Sequence, residues 1–139
     1  MVQISMEDAR AFAAWTGKRL PTENEWEAAS RTTNGWILPW GQEWKKDACN
    51  IEDSYNADTT PVDNYLEFEN NFSIVDTIGN VLEWTDSIFE DISKANNREK
   101  YRVVKGGSWI SENDIRLFSR FMIKPSSHSN IIGFRCVAN

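Results

Sequence analysis

The chain has 139 residues, a length that favours one domain. It carries 15 Lys+Arg against 21 Asp+Glu, a formal net charge of −6, with no run of five like charges, so a nucleic-acid groove or an anionic membrane surface is a poor fit. No apolar stretch approaches the ~20 residues of a membrane span, and two cysteines allow at most one disulfide. The single histidine, His128, excludes any site within this chain that needs two or more histidine ligands. Residues 1–10 are mostly polar and hold no apolar signal-peptide core, which leaves localisation open.

In chain order, Ser5-Met6-Glu7-Asp8 is spaced as a capping box, and Ala9, Phe12 and Ala13 follow at helical spacing. Trp15 adds to the apolar side, and Gly17 is a good stop. Thr22-Glu23-Asn24-Glu25 opens a second helix in the same way. Trp26 and Ala29 share its face and Arg31 closes it. Across residues 32–71 the periodicity disappears. Gly35, Pro39, Gly41 and the Thr59-Thr60-Pro61 step imply turns. A disordered linker would not carry Trp36, Trp40, Trp44, Tyr55 and Tyr65, so this stretch reads as ordered irregular structure pinned by rings, with an ion as a further aid. Strand-like pieces follow at residues 81–85, 101–105, 115–121 and 134–138, with a polar loop or short helix over 86–100. There is no internal repeat and no low-complexity tract.

Four stretches then fall in a telling order. The first is Phe12-Ala13-Ala14-Trp15-Thr16-Gly17-Lys18-Arg19-Leu20-Pro21-Thr22-Glu23-Asn24-Glu25-Trp26-Glu27, and the second is Pro39-Trp40-Gly41. The third is Asp76-Thr77-Ile78-Gly79-Asn80-Val81-Leu82-Glu83-Trp84-Thr85. The fourth is Arg102-Val103-Val104-Lys105-Gly106-Gly107-Ser108-Trp109, followed by Arg116, Arg120, Pro125 and Gly133-Phe134-Arg135. Each is weak alone. Together they resemble the formylglycine-generating enzyme (sulfatase-modifying factor) family over nearly the whole chain. The resemblance implies one domain over 1–139 with an α+β fold, related to the C-type lectin-like fold and poor in regular structure. Family members usually begin with a strand-rich segment, which this chain lacks. The comparison therefore implies an N-terminally truncated domain whose last strand, ending at Asn139, has no partner. The gap would be filled by local packing, by an upstream segment of a longer chain, or by a homodimer pairing an edge near 101–105 or 134–138.

The family's catalytic members oxidise a substrate cysteine to formylglycine with a copper-binding cysteine pair just after the Gly-Gly-Ser-Trp motif. Soft thiolates suit Cu(I), and a hydroxyl does not replace them. The first cysteine slot is Ser111 here, and the shorter stretch between Trp109 and Arg120 omits the second. Copper is not expected, and Cys49 and Cys136 read as structural, either buried or disulfide-linked. A related branch uses iron on three histidines, whereas His128 lies in a polar run that reads as a solvated loop. Ser108 and Ser111 have no evident base, and Ser108 reads as a turn hydroxyl beside Gly106-Gly107.

The resemblance also implies calcium. Asp76 and Glu83 would supply carboxylates, and Gly79 and Val81 backbone carbonyls, as a hard cation requires. The alternative is that Asp76 caps the turn and Glu83 pairs with a core arginine. A second calcium site would follow the Asn50-Ile51 step, drawing on Glu52, Asp53 or Asp58; its alternative is a solvated acidic loop. Asn71-Phe72-Ser73 fits a glycosylation sequon but reads as a turn. The ligand cleft would be formed by residues 108–130 with Trp84 nearby: Trp84, Ser108, Trp109, Ser111, Arg116, Arg120 and Asn130. Family enzymes place an Asn two residues before the Gly of Gly-Phe-Arg, where this chain has Ile131. Arg116 and Arg120 serve either a ligand or buried ion pairs.

Three readings follow. The first is a non-catalytic binding or scaffold module for a protein or small-molecule ligand, with variable display as in diversity-generating retroelement systems as a sub-case. The second is an oxidoreductase of the family with altered chemistry. The third is a degenerate paralogue. Fold alone does not choose among them.

Overall fold

Two capping boxes start the chain where the spacing predicts them. In the computed structural model, which describes residues 1–90 and 100–139, helix α1 spans Met6–Trp15 and helix α2 spans Glu23–Arg31. Ser5 Oγ accepts from the Asp8 N–H (3.2 Å), and the Asp8 carboxylate accepts from the Ser5 N–H (2.9 Å). Thr22 and Glu25 repeat the exchange at 3.2 and 2.8 Å. Each box satisfies helix N–H groups that have no partner within the helix. Helix α1 buries Met6, Ala9 and Ala13, and the small alanines let it lie close against the sheet. Gly17, at φ 71°, turns the chain left-handed after α1.

That turn delivers β1 (Lys18–Arg19), which pairs antiparallel with the last strand, β6 (Val137–Ala138). The last strand therefore has a partner, contrary to the expectation from the missing N-terminal segment. The remaining strands are β2 (Leu82–Ile88), β3 (Arg102–Lys105), β4 (Phe121–Ile123) and β5 (Ile132–Gly133), in the order β4-β3-β2-β5. β3 runs antiparallel to both β2 and β4, and β5 runs parallel to β2. Of the two expected dimer edges, β3 lies between two strands, while within 134–138 only Val137–Ala138 forms a strand, paired on one side by β1 in a two-stranded sheet.

Two expected strands, 115–121 and 134–138, lie mostly outside the sheets. Over 115–121, the Ser119 hydroxyl accepts from the Arg116 N–H (3.0 Å) and the Ser119 N–H returns to the Arg116 carbonyl (2.9 Å). This side-chain turn outcompetes the ladder, and only Phe121 enters β4. Strand β2 continues past the expected end to Ile88; of the loop or helix expected over 86–100, residues 91–99 lie outside the described residues. The middle of the chain is irregular as expected, with two single-turn helices at Glu52–Ser54 and Leu66–Phe68. Trp40 sits edge-on to Trp44 (5.7 Å) and Phe68 (6.0 Å). Tyr55 is not one of the pins, being 88% exposed. The Asn71-Phe72-Ser73 segment is a turn, with Asn70 Oδ1 accepting from the Phe72 and Ile74 N–H groups.

Two apolar clusters result, an α+β arrangement of little regular structure. One joins Met6, Ala9, Ala13, Leu20, Trp84, Val104 and Ile132. The other joins Trp26, Leu38, Cys49, Ile51, Ile78, Ile115 and Leu117. Both cysteines are free, which removes the disulfide-linked alternative. Among the described residues no helix is long and apolar enough to cross a membrane.

The caps carry measurable stability. Thr22→Ala is expected to cost about 1 kcal/mol in denaturant unfolding. The Glu25 carboxyl is held at about 2, first by Arg19 and then by the Thr22 N–H. Its folded value lies below its ordinary 4.5, so its contribution is present above that pH and is lost as pH falls through about 2. Glu25→Gln should flatten this part of an acid-unfolding curve.

Candidate functional site

The segment before β2 is a joint between distant parts of the chain. Gly79 has φ +80°, and a Cβ there would stand 2.3 Å from the Asn50 carbonyl oxygen. Only glycine permits that approach. It lets the Asn80 N–H reach Asn50 O (2.7 Å) and the Gly79 N–H reach Gly106 O (2.8 Å). The Asn80 side chain accepts from Asn50 Nδ2 (3.2 Å) and the Thr60 N–H (2.9 Å), and donates to Thr60 O and Asp76 Oδ2 (both 3.2 Å). Its carbonyl accepts from the Trp109 N–H (3.0 Å).

Glu83, on β2, is buried and takes three donors: Trp26 Nε1 (2.5 Å), Arg135 Nε (2.6 Å) and Arg135 Nη2 (2.7 Å). Arg135 Nη2 also reaches the Val75 and Asp76 carbonyls at 3.1 and 3.4 Å. Glu83 thus pairs with a core arginine, the alternative to the cation. Asp76, Val81 and Glu83 nevertheless line one cavity of about 700 Å³, together with Asn80 and Arg135. Asp76 Oδ1 is buried with no hydrogen-bond partner. Burial pushes the Asp76 carboxyl up to about 6; the Asn80 hydrogen bond opposes this, Glu83 adds to it, and Arg135 offsets it. The fit to a hard cation is partial. Asp76 offers a free buried oxygen, while Glu83 keeps about one of the four lone-pair sites of a carboxylate beside a guanidinium.

The second expected cation site is arranged differently. Asn50 Oδ1 already accepts from Ser54 Oγ (2.9 Å) and Asn56 Nδ2 (3.1 Å). The Ile51 carbonyl accepts from the Ser54 N–H (3.0 Å) and from Ser54 Oγ (2.7 Å). Among the described residues there is no group of three or more His, Cys, Asp or Glu side chains placed to hold a metal ion.

The expected cleft residues separate. Trp84 is fully buried and its indole N–H donates to Ile4 O (3.2 Å), so it is core and not a cleft wall. Ser108 and Ser111 form a turn: the Ser108 N–H donates to Ser111 Oγ and the Ser111 N–H to Ser108 O, both at 2.9 Å. The backbone of Ser108 makes this turn, not its hydroxyl, which is buried without a partner. Trp109 Nε1 donates to Asn130 O (3.4 Å), which brings those two residues together. Arg116 donates to the Asn113 and Ile115 carbonyls and lies over Trp44 at 5.8 Å. Arg120 pairs with Glu23 and stacks on Phe89 at 4.9 Å. Arg120 is exposed and Glu23 partly buried, so the pair lies at the surface edge and not in the core.

Sequence reasoning missed the roles of Trp26, Asn80 and Arg135, although all three lie inside quoted motifs. It also missed a pocket of about 420 Å³ lined by Trp44, Lys46, Asp47, Cys49, Tyr55 and Asn113, among others. Burial, and then Asp76, pushes the Cys49 thiol up to about 12, so it is a neutral thiol there.

Residues 1–139 match the Sulfatase-modifying factor enzyme 1-like domain. The chain belongs to that family. It is 35% identical over 156 residues to the Inactive C-alpha-formylglycine-generating enzyme 2 of Bos taurus, covering 99% of this chain and 50% of the relative. It is 34% identical over 167 residues to the Formylglycine-generating enzyme of Streptomyces coelicolor, covering 98% of this chain and 51% of that enzyme. The chain spans about half the length of these curated relatives. Its fold is similar to that of Treponema denticola variable protein 1, with TM-score 0.73 and 25% identity over 84% of this chain and 46% of that one.

Arg135→Met is expected to cost about 3–5 kcal/mol in denaturant unfolding, because it strands a buried carboxylate. Adding Glu83→Met should recover part of the loss. A double variant no more stable than the single one would show that the two groups do not act as a pair.

Proposed function

We propose that the chain is a non-catalytic, ligand-binding module of the sulfatase-modifying factor family. The observation that carries this reading is the turn at Ser111. Its hydroxyl occupies the first thiol's slot and is spent on the Ser108 N–H. The remaining thiols do not form a pair, since Cys49 belongs to one apolar cluster and Cys136 packs against the other. Similarity to an inactive relative supports the same reading. The alignment with the Streptomyces coelicolor enzyme runs over 167 positions, more than this chain's 139, in keeping with segments the enzyme has and this chain lacks.

The ligand face is the turn-rich surface over residues 108–130. Ile115 and Leu117 carry the core from this stretch, while Ile110 and Phe118 stand 49% and 51% exposed. Side chains on such turns change without disturbing the packing beneath. The similarity to a protein named as variable supports a binding module on this fold, and we assign the varied surface to this face. The test is to incubate the protein with a sulfatase-type cysteine peptide, copper and oxygen, and to follow peptide mass. No aldehyde should form. Aldehyde formation abolished by Cys49→Ser or Cys136→Ser would instead favour an oxidoreductase with altered chemistry.

A calcium-type ion at Asp76 belongs to the same reading, with Val81 and Glu83 as neighbours, as a structural aid to the turn. The unpartnered buried Asp76 Oδ1 supports it. Calcium at ten times its Kd should add about 1.4 kcal/mol of stability, read as a rise in Tm, and Asp76→Ala should abolish that response.

A further inference from the structure

The loop after Asn50-Ile51 does not fit a cation, and what it holds instead is informative. Asn56 Nδ2 lies 3.1 Å from Asn50 Oδ1, 3.1 Å from Ser54 Oγ and 3.2 Å from Tyr65 Oη. Three oxygens from separate residues converge on one nitrogen that carries partial positive charge and only two N–H hydrogens. Asn50, fully buried, also donates from Nδ2 to the Asp58 carbonyl (2.8 Å) and to Asn80 Oδ1 (3.2 Å). We infer that the Asn56 carboxamide stands in the place of a cation, closing the loop between Asn50 and Tyr65 without a metal.

The neighbouring groups agree. Tyr55 and Ala57, on either side of Asn56, are both left-handed, at φ 57° and 55°. Non-glycine residues adopt this conformation at a cost, and here it turns the Asn56 side chain back onto Asn50. Of the acidic side chains expected to serve a cation, Asp53 accepts from Asn113 Nδ2 (3.3 Å), Asp58 Oδ1 accepts from the Thr59 N–H (2.7 Å) and Glu52 is exposed; among the described residues they do not gather into a metal-holding group. Asn50 Oδ1 and the Ile51 carbonyl each have a donor of their own, Asn56 Nδ2 and the Ser54 N–H, and share the one Ser54 hydroxyl hydrogen. A neutral amide holds these oxygens together without the dehydration a hard ion would require.

Asn56→Asp tests this, because it changes one amide to a carboxylate of the same shape. The new carboxylate adds a negative charge beside Asn50 Oδ1, Ser54 Oγ and Tyr65 Oη, where the two hydroxyls can donate to it and a cation would be held by all of these oxygens together. In EDTA the variant should melt below the wild type, and calcium should restore it. Equilibrium dialysis with metal analysis should find one more calcium per chain than in the wild type, a difference from which any ion at Asp76 cancels. An unchanged calcium count would overturn the inference. A second measurement needs no variant: hydrogen exchange of the Ser54 and Tyr55 amides in the wild type, whose N–H groups close this turn. Equal protection in EDTA and in calcium is expected, and calcium-dependent protection of these two amides would overturn it.

Discussion

Glu83 is a buried carboxylate that the fold cannot leave alone. An unpaired charge at that depth would outweigh most single packing gains, so its partners must arrive together. They come from three regions: Trp26 from α2, Arg135 from the segment before β6, and, through Arg135, the carbonyls of Val75 and Asp76. With only two to seven residues per strand, the ladders are too short to fix these regions by themselves. The carboxylate does what longer strands do elsewhere. It selects one arrangement of helix, turn and C-terminal segment.

Trp26 extends this constraint across β2 and β3. Glu83 stands opposite Lys105 in the antiparallel register, yet the two do not pair. Glu83 takes Arg135, and the fully buried Lys105 ammonium takes Glu27 at 3.2 Å and lies over the Trp26 ring at 5.5 Å. Burial drives the Lys105 pKa down and Glu27 opposes it. One indole thus gives its N–H to an anion and its face to a cation, which keeps two buried ion pairs apart. Exchange between the pairs would move α2 relative to the C-terminal segment.

The legible parts of the fold were the local ones. Capping boxes depend on residues three apart, and both helices start where Ser5 and Thr22 place them. Strands of two to four residues carry little periodicity, and Ile115 and Leu117 alternate as a strand would while lying outside any strand. The ordered motifs identified the family but not the task of each residue. Trp84 looked like a cleft wall because it stands in a signature, although both faces of β2 are covered at that point. Arg135 and Glu83 are 52 residues apart, and no spacing rule joins them. Asn56 had no signal at all. Its role exists only because two left-handed residues swing it onto oxygens that come from both sides of it in the sequence.

Serine is a better occupant of the 111 position in this fold than a vacant thiol slot suggests. The Ser108–Ser111 turn needs an acceptor for the Ser108 N–H at 2.9 Å, and a hydroxyl oxygen meets that distance where a thiol sulfur is a weak, long acceptor. The same turn offers the Ser111 carbonyl to the Glu52 N–H at 3.0 Å and so ties the 108–130 stretch to the Asn50 loop. That loop in turn meets Gly79 and Asn80, which lie next to the Glu83 cluster. Ser111 and Asn56 therefore have the same effect at two ends of one connected network. Each is a neutral side chain that holds its own turn, Ser111 through the Ser108 N–H and Asn56 through Asn50 and Ser54.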